Sequence, residues 1–163
     1  MLPSTLHPKI LKLAQIAEVK GLKSCWLGGA TGIGKTLLAR EWMRGVKSAV
    51  LLQEDRFFLD AREGILPNWH GRGRGPALVV LDEVGNPRNW IDRNSDREKA
   101  QAAHTNWNLL IEYLYLCHHD GETMVVVTSN HKDAREMGEK CRLEDKYIRR
   151  LSEITGERVP LVN

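Results

Sequence analysis

Short apolar runs alternate with longer amphipathic stretches along this chain of 163 residues. Ala77–Asp82 and Thr123–Thr128 are the clearest runs, of strand length and almost wholly apolar, as in strands buried on both faces. Residues 23–28 and 48–53 read as two further strands, and Arg158–Val162 as a last short one. Helical spacing fills the intervals. Residues 8–20 have Pro8 in the first turn and Gly21 at the stop, with Ile10, Leu13, Ala14 and Ala17 on one face. A helix is expected near 35–45, a short one over Arg56–Gly64 and another over 144–153. A long helix is expected over 98–119, with Trp107, Leu110, Ile111 and Leu114 on one face. Strands alternating with helices predict an α/β fold, a mainly parallel sheet covered on both faces in a three-layer α/β/α sandwich. Such sheets bind ligands at the C-terminal ends of their strands. The expected organisation is an N-terminal helix in residues 1–22 and one domain over 23–163.

Composition narrows the class. Apolar residues make up 42% and charged residues 28%, as in an ordinary globular domain. No apolar run approaches the roughly 20 residues of a membrane span, so no membrane partner is expected. The N-terminal stretch does not read as a signal peptide, because Lys9 and Lys12 interrupt it. Cys25, Cys117 and Cys141 are odd in number and widely spaced, which disfavours a disulfide framework and fits a reducing cytoplasm. The net charge of +3 is unevenly spread: residues 1–53 hold 8 Lys and Arg against 2 acids, and residues 54–163 hold 16 against 19. A basic N-terminal third suits a polyanion, or is simply a solvated lysine face.

The chemistry starts after the first strand. Gly29, Ala30, Thr31, Gly32, Ile33, Gly34, Lys35 and Thr36 fit G-x-x-x-x-G-K-[ST] at every fixed position. Glycines let the backbone curl until its N–H groups face a phosphate. The lysine reaches the β- and γ-phosphates, and the threonine hydroxyl serves Mg²⁺. The following helix adds its positive dipole end. ATP and Mg²⁺ are therefore the expected ligands. Leu78-Val79-Val80-Leu81 then ends in Asp82-Glu83. Two acids at the end of a buried strand are costly without a cation or partner. Asp82 is expected to hold the metal, and Glu83 to polarise an attacking water. A solvated Asp-Glu turn before Gly85 is the plainer alternative. Val125–Thr128 ends in Ser129-Asn130, where Asn130 could orient that water or merely favour a turn. Arg149 and Arg150 lie on the helix expected at 144–153, as exposed side chains or as arginines offered to a neighbouring subunit's phosphoryl group.

Together, Gly29–Thr36, Leu78–Glu83, Val125–Asn130 and the Arg149-Arg150 segment resemble the Walker A, Walker B, sensor-1 and arginine-finger elements of AAA+ ATPases. Within that superfamily the likeness is to bacterial replicative-helicase loaders and related transposition ATPases. Gly34-Lys35-Thr36-Leu37-Leu38-Ala39 resembles the loaders' Gly-Lys-Thr-x-Leu-Ala, and Asp82-Glu83-Val84-Gly85 their Asp-Glu-hydrophobic-Gly. The compact ending resembles theirs too, and implies an AAA+ core without a helical lid. Loaders usually carry an N-terminal helicase-gripping domain, whereas residues 1–22 alone precede the first strand here. The resemblance implies an ATP-hydrolysing homo-oligomer acting with nucleic acid in DNA replication or transposition, with a replicative helicase as a partner. Thr128-Ser129-Asn130 with Ile148–Leu151 also looks like a superfamily-3 helicase core. A nucleotide-dependent adaptor with little turnover is the third possibility.

Two segments are candidates for single-stranded DNA. One offers Arg72 and Arg74 among glycines. The other, Asn86–Lys99, offers Arg88, Arg93 and Arg97 with Trp90. Phosphate contact plus base stacking is what such binding needs. For both, an exposed loop is the simpler reading, and Trp69, Trp90 and Trp107 suit a core better than a stacking platform. Cys117-His118-His119-Asp120 is a weak metal pattern, since adjacent helical side chains diverge.

Overall fold

The computed structural model describes residues 24–29, 34–44, 46, 48–66, 76–91, 96–119 and 123–161, with side chains described as far as residue 156. The helix expected at 8–20, the loop residues Ala30 to Ile33, and Arg72, Arg74 and Arg93 lie outside these residues.

The elements run β1 (Cys25–Gly29), α1 (Lys35–Arg44), β2 (Ala49–Gln53), α2 (Glu54–Arg62), β3 (Leu78–Val84), α3 (Pro87–Ile91), α4 (Arg97–His119), β4 (Met124–Ser129), α5 (Ala134–Cys141), α6 (Asp145–Thr155) and β5 (Glu157–Leu161). The strands form one sheet in the order β2-β3-β4-β1-β5. Every pairing is parallel.

Side-chain alternation divides the core. Cys25, Leu27, Leu78, Val80 and Val126 face one side, where Leu38 and Ala39 of α1 pack on them. Trp26, Val79, Leu81, Val125 and Val127 face the other side, under α2, α4, α5 and α6. The long α4 buries Trp107, Leu110, Ile111 and Leu114, the face its spacing predicts. Trp107 is wholly buried and meets Phe57 edge-on with ring centroids 4.9 Å apart. With helices on both faces, the sheet forms the expected three-layer sandwich.

Two helices escape the sequence reading. Residues 87–91, expected as part of an exposed loop, form α3, and its Trp90 packs edge-on against Phe58 at 5.0 Å. Proline after asparagine is the start signal that would have found it: Asn86 Oδ1 accepts from the Arg88 N–H at 3.1 Å. Helix α5 is capped at its start by Asp133, whose carboxylate accepts from the Glu136 N–H at 2.9 Å, and at its end by Arg142 with φ of 56°. An Asp followed three residues later by Glu was legible as a helix start.

Candidate functional site

The sheet order puts the ends of β3, β4 and β1 side by side, and the candidate residues Lys35, Thr36, Asp82 and Asn130 gather there. Gly29 closes β1 with φ of 141°, and Gly34 opens α1 with φ of 94°. Both are backbone conformations that favour glycine. Lys35 is buried at the first position of α1. Its Nζ donates to the Gly29 carbonyl and, at 3.3 Å, to Asn130 Oδ1. Burial pushes its ammonium below the usual 10.5, while the charges of Glu83 and Asp82 draw it back up. The end of β1 and the residue just after β4 are thus joined through one lysine.

Asp82 is 1% exposed. Its Oδ1 accepts from Thr36 Oγ1 at 2.8 Å and from Thr128 Oγ1 at 2.6 Å. Its Oδ2 is buried and has no hydrogen-bond partner among the described residues. A buried carboxylate oxygen of that kind suits a cation or its bound water. Thr36 and Asp82 therefore fit a magnesium ion chemically, as hard oxygen ligands side by side.

Glu83 points the other way because the strand is irregular here. Leu81 pairs with Val127, but Val84 pairs with Ser129, so Asp82 and Glu83 together stand opposite Thr128. This is a bulge, which bends a strand and re-aims its side chains. Glu83 takes φ of 54° and is exposed, while Val84 returns to the core. A regular strand would send Glu83 into the apolar layer that Val84 occupies. The Glu83 N–H, freed from the ladder, donates to Thr128 Oγ1 at 2.9 Å.

The arginines differ in setting. Arg150 reaches back to Glu112 on α4 at 2.8 Å and lies over the Tyr115 ring at 5.8 Å. Arg149 is 68% exposed and pairs with Asp145 on its own helix at 3.5 Å. Arg88 and Arg97 are exposed on α3 and at the start of α4. Trp90 is turned inward and its indole donates to buried Glu54 at 3.3 Å, so it offers no stacking platform beside Arg88.

Sequence reasoning missed Glu54, Thr128 and His131, all of which hold the site's backbone. Thr128 was visible only as a strand-end threonine, and Glu54 only as an acid between the strand expected at 48–53 and the helix expected at Arg56–Gly64. Neither position distinguishes a structural hub from a surface residue. Among the described residues, no three His, Cys, Asp or Glu side chains gather as a metal site. Within the Cys117–Asp120 segment, His118 Nδ1 pairs with Ser24 Oγ at 3.2 Å and His119 stacks on Tyr115. No described helix is long and apolar enough to cross a membrane.

A parallel sheet in this order, with the G-x-x-x-x-G-K-[ST] segment after β1 and the Asp82-Glu83 pair near the end of β3, has the fold class of a P-loop NTPase core. Solved structures share this fold. No protein-family model and no curated protein matches the sequence. Among solved structures it is similar to AMPPCP-bound DnaA from Aquifex aeolicus, with a TM-score of 0.56 and 15% identity over 100% of this chain and 47% of that one. It is similar to a “putative primosome component” from Streptococcus pyogenes serotype M3, with a TM-score of 0.55 and 20% identity over 90% of this chain and 72% of that one. A DNA replication initiation factor gives a TM-score of 0.51 at 15% identity, over 93% of this chain and 43% of that one. The chain thus spans about half the length of the DnaA structure. At such identities the shared property is the fold.

Proposed function

We propose that this chain is an AAA+-type ATPase that works on nucleic acid in DNA replication or transposition, as a homo-oligomer in the manner of a helicase loader. The observation that carries the reading is the convergence of the Thr36 and Thr128 hydroxyls on one carboxylate oxygen of Asp82, with Glu83 turned out beside it. That arrangement is the one nucleotide hydrolysis requires: a buried acid for the metal and a neighbouring acid free to meet water. The structural likeness to DnaA and to a primosome component supports the replication setting.

In this reading Gly29–Thr36 wraps the phosphates of ATP, and Lys35 leaves its protein partners to neutralise the β- and γ-oxygens. Thr36 and Asp82 would hold Mg²⁺, which when bound offsets charge on the phosphate oxygens. Glu83 accepts the proton of the attacking water, and Asn130 orients that water. Arg149 of a neighbouring copy meets the developing charge on the transferring phosphoryl group. Its exposure and weak tie to Asp145 favour it over Arg150, which is engaged within its own chain. Single-stranded DNA meets the exposed basic side chains, Arg88 and Arg97 among them, and a replicative helicase or another replication or transposition protein is the partner.

ATP turnover by the full chain tests this, measured with and without single-stranded DNA over a range of protein concentrations. Turnover that rises with both is expected. Turnover indifferent to concentration removes the shared site, and turnover indifferent to DNA removes the nucleic-acid role. Absence of turnover, with ATP still bound, leaves the adaptor as the surviving reading.

A further inference from the structure

Glu83 is a non-glycine residue held at φ of 54°. The left-handed region costs an L-residue roughly 1–2 kcal/mol, so surrounding contacts must maintain it. The backbone that follows Glu83 is gripped on both sides. On one side, a single carboxylate takes two successive amides: Glu54 Oε2 accepts from the Gly85 N–H at 2.8 Å, and Oε1 from the Asn86 N–H at 2.9 Å. On the other side, the end of β4 holds the two carbonyls. Ser129 Oγ donates to the Val84 carbonyl at 2.6 Å, and His131 Nε2 lies 2.7 Å from the Gly85 carbonyl. A carbonyl only accepts, so that nitrogen carries the proton.

Glu54 is wholly buried, where an unpaired carboxylate would be strongly unfavourable. Asn89 Nδ2 at 2.8 Å and Trp90 Nε1 at 3.3 Å complete its set of donors. It follows directly on Gln53, which pairs in register with Asp82. Gly85 has no room for a side chain, because a Cβ would stand 2.5 Å from Met137 and 2.6 Å from the His131 ring. The histidine can close on this backbone only because residue 85 is glycine.

We propose that Glu54 and His131 are positioning residues for Glu83: they clamp the Val84–Asn86 backbone from opposite sides and so fix the direction in which the Glu83 carboxylate leaves the sheet. The inference rests on the reading of Glu83 as the group that polarises water. Because Asn89 and Trp90 belong to α3, the same carboxylate also bolts that helix to the catalytic segment.

The test is steady-state ATPase kinetics and equilibrium binding of a fluorescent ATP analogue, on the full chain, for Glu54→Gln, His131→Ala, Glu83→Gln and the double variant E54Q/E83Q. Glu54→Gln keeps the shape but turns one accepting oxygen into a donor facing an N–H. The expected result is a fall in kcat of about 10-fold or more, with KM and analogue affinity within about twofold. His131→Ala is expected to move kcat in the same direction by a smaller factor. The double variant is expected to be no slower than E83Q alone, since Glu54 acts through Glu83. Wild-type kcat in E54Q and His131→Ala, with E83Q inactive, overturns the clamp and leaves Glu83 in its role. Full turnover in E83Q overturns the reading beneath both. A kcat that falls only in step with the amount of analogue bound makes Glu54 structural and also overturns the proposal. If E54Q does not fold, His131→Ala, at the part-exposed rim, decides by the same split of kcat from KM.

Discussion

Thr128 Oγ1 donates to Asp82 Oδ1 at 2.6 Å across the β4–β3 boundary and, with the same oxygen, accepts from the Glu83 N–H at 2.9 Å. One hydroxyl thus orients the buried acid and holds the bulge that turns the second acid outward. Replacing Thr128 by valine keeps the volume but removes both bonds. We expect a loss of roughly 1–3 kcal/mol in stability, from a buried carboxylate and an amide left short of partners. Turnover should fall further than stability alone explains. Chemical denaturation and steady-state ATPase on the same preparation check both.

The two arginines of α6 should separate by what each variant changes. Arg150→Ala removes a part-buried ion pair with Glu112 and a contact over Tyr115, and should lower stability by about 0.5–1 kcal/mol. Arg149→Ala loses only an exposed pair on its own helix and should leave the melting temperature unchanged. Its turnover at assembling concentrations should drop by roughly 10³-fold if it serves a neighbour's site. Mixing Arg149→Ala with Lys35→Ala should then restore part of the activity, since some interfaces recover a full set of residues.

Gly28 sits under the loop that carries Asn130. A Cβ there would stand 2.5 Å from the His131 carbonyl oxygen and 2.8 Å from that of Lys132, both backbone atoms. Gly28→Ala must therefore displace residues 131–132, at a cost of about 1–3 kcal/mol. The hydrogen bond from the Trp26 indole to the His131 carbonyl, 2.9 Å long, reports on the shift. We expect a changed tryptophan emission spectrum and reduced turnover.

Glu54 carries a pH signature. Burial raises its carboxyl above the ordinary 4.5, and the hydrogen bonds from Gly85, Asn89, Asn86 and Trp90 oppose that rise. With the folded value above the unfolded one, the folded chain binds more protons between the two. The contribution of Glu54 to stability therefore falls as pH rises through that window. The stability of wild type minus that of E54Q should decline from pH 4.5 upward and level off above the folded value. Urea denaturation of both proteins at stepped pH measures it, and a flat difference would contradict the assignment.

Trp107 anchors the layer beneath α4, against Phe57, Phe58 and Trp90. Trp107→Ala should cost about 3–5 kcal/mol, the range for deleting a large buried aromatic. A thermal melt suffices to check it.

Much of the fold was legible because its signals are local. Leu78–Leu81 and Val125–Val127 are apolar without a break, and a strand covered on both faces needs nothing else. The G-x-x-x-x-G-K-[ST] pattern of Gly29–Thr36 is legible in the sequence because each of its residue types answers a separate chemical demand within eight positions. Helices α3 and α5 went unread although Asn86-Pro87 and Asp133 with Glu136 carry ordinary start signals, because both are short and flanked by polar residues. The strand was expected to end at Asp82, so the bulge that turns Glu83 outward within β3 was not legible. Alternation along β3 would have sent it into the core, and only the pairing with β4 creates the bulge.

The sequence by itself determined which chemical groups exist and which strands are buried, since both depend on residue type and near neighbours. Tertiary structure alone decided which groups meet. The strand order β2-β3-β4-β1 brings Lys35 to Asn130, Thr36 to Asp82 and Glu54 to the Gly85 amide. These partners lie 95, 46 and 31 positions apart. No local pattern encodes such separations; they follow from packing apolar strands side by side until their polar ends share one edge.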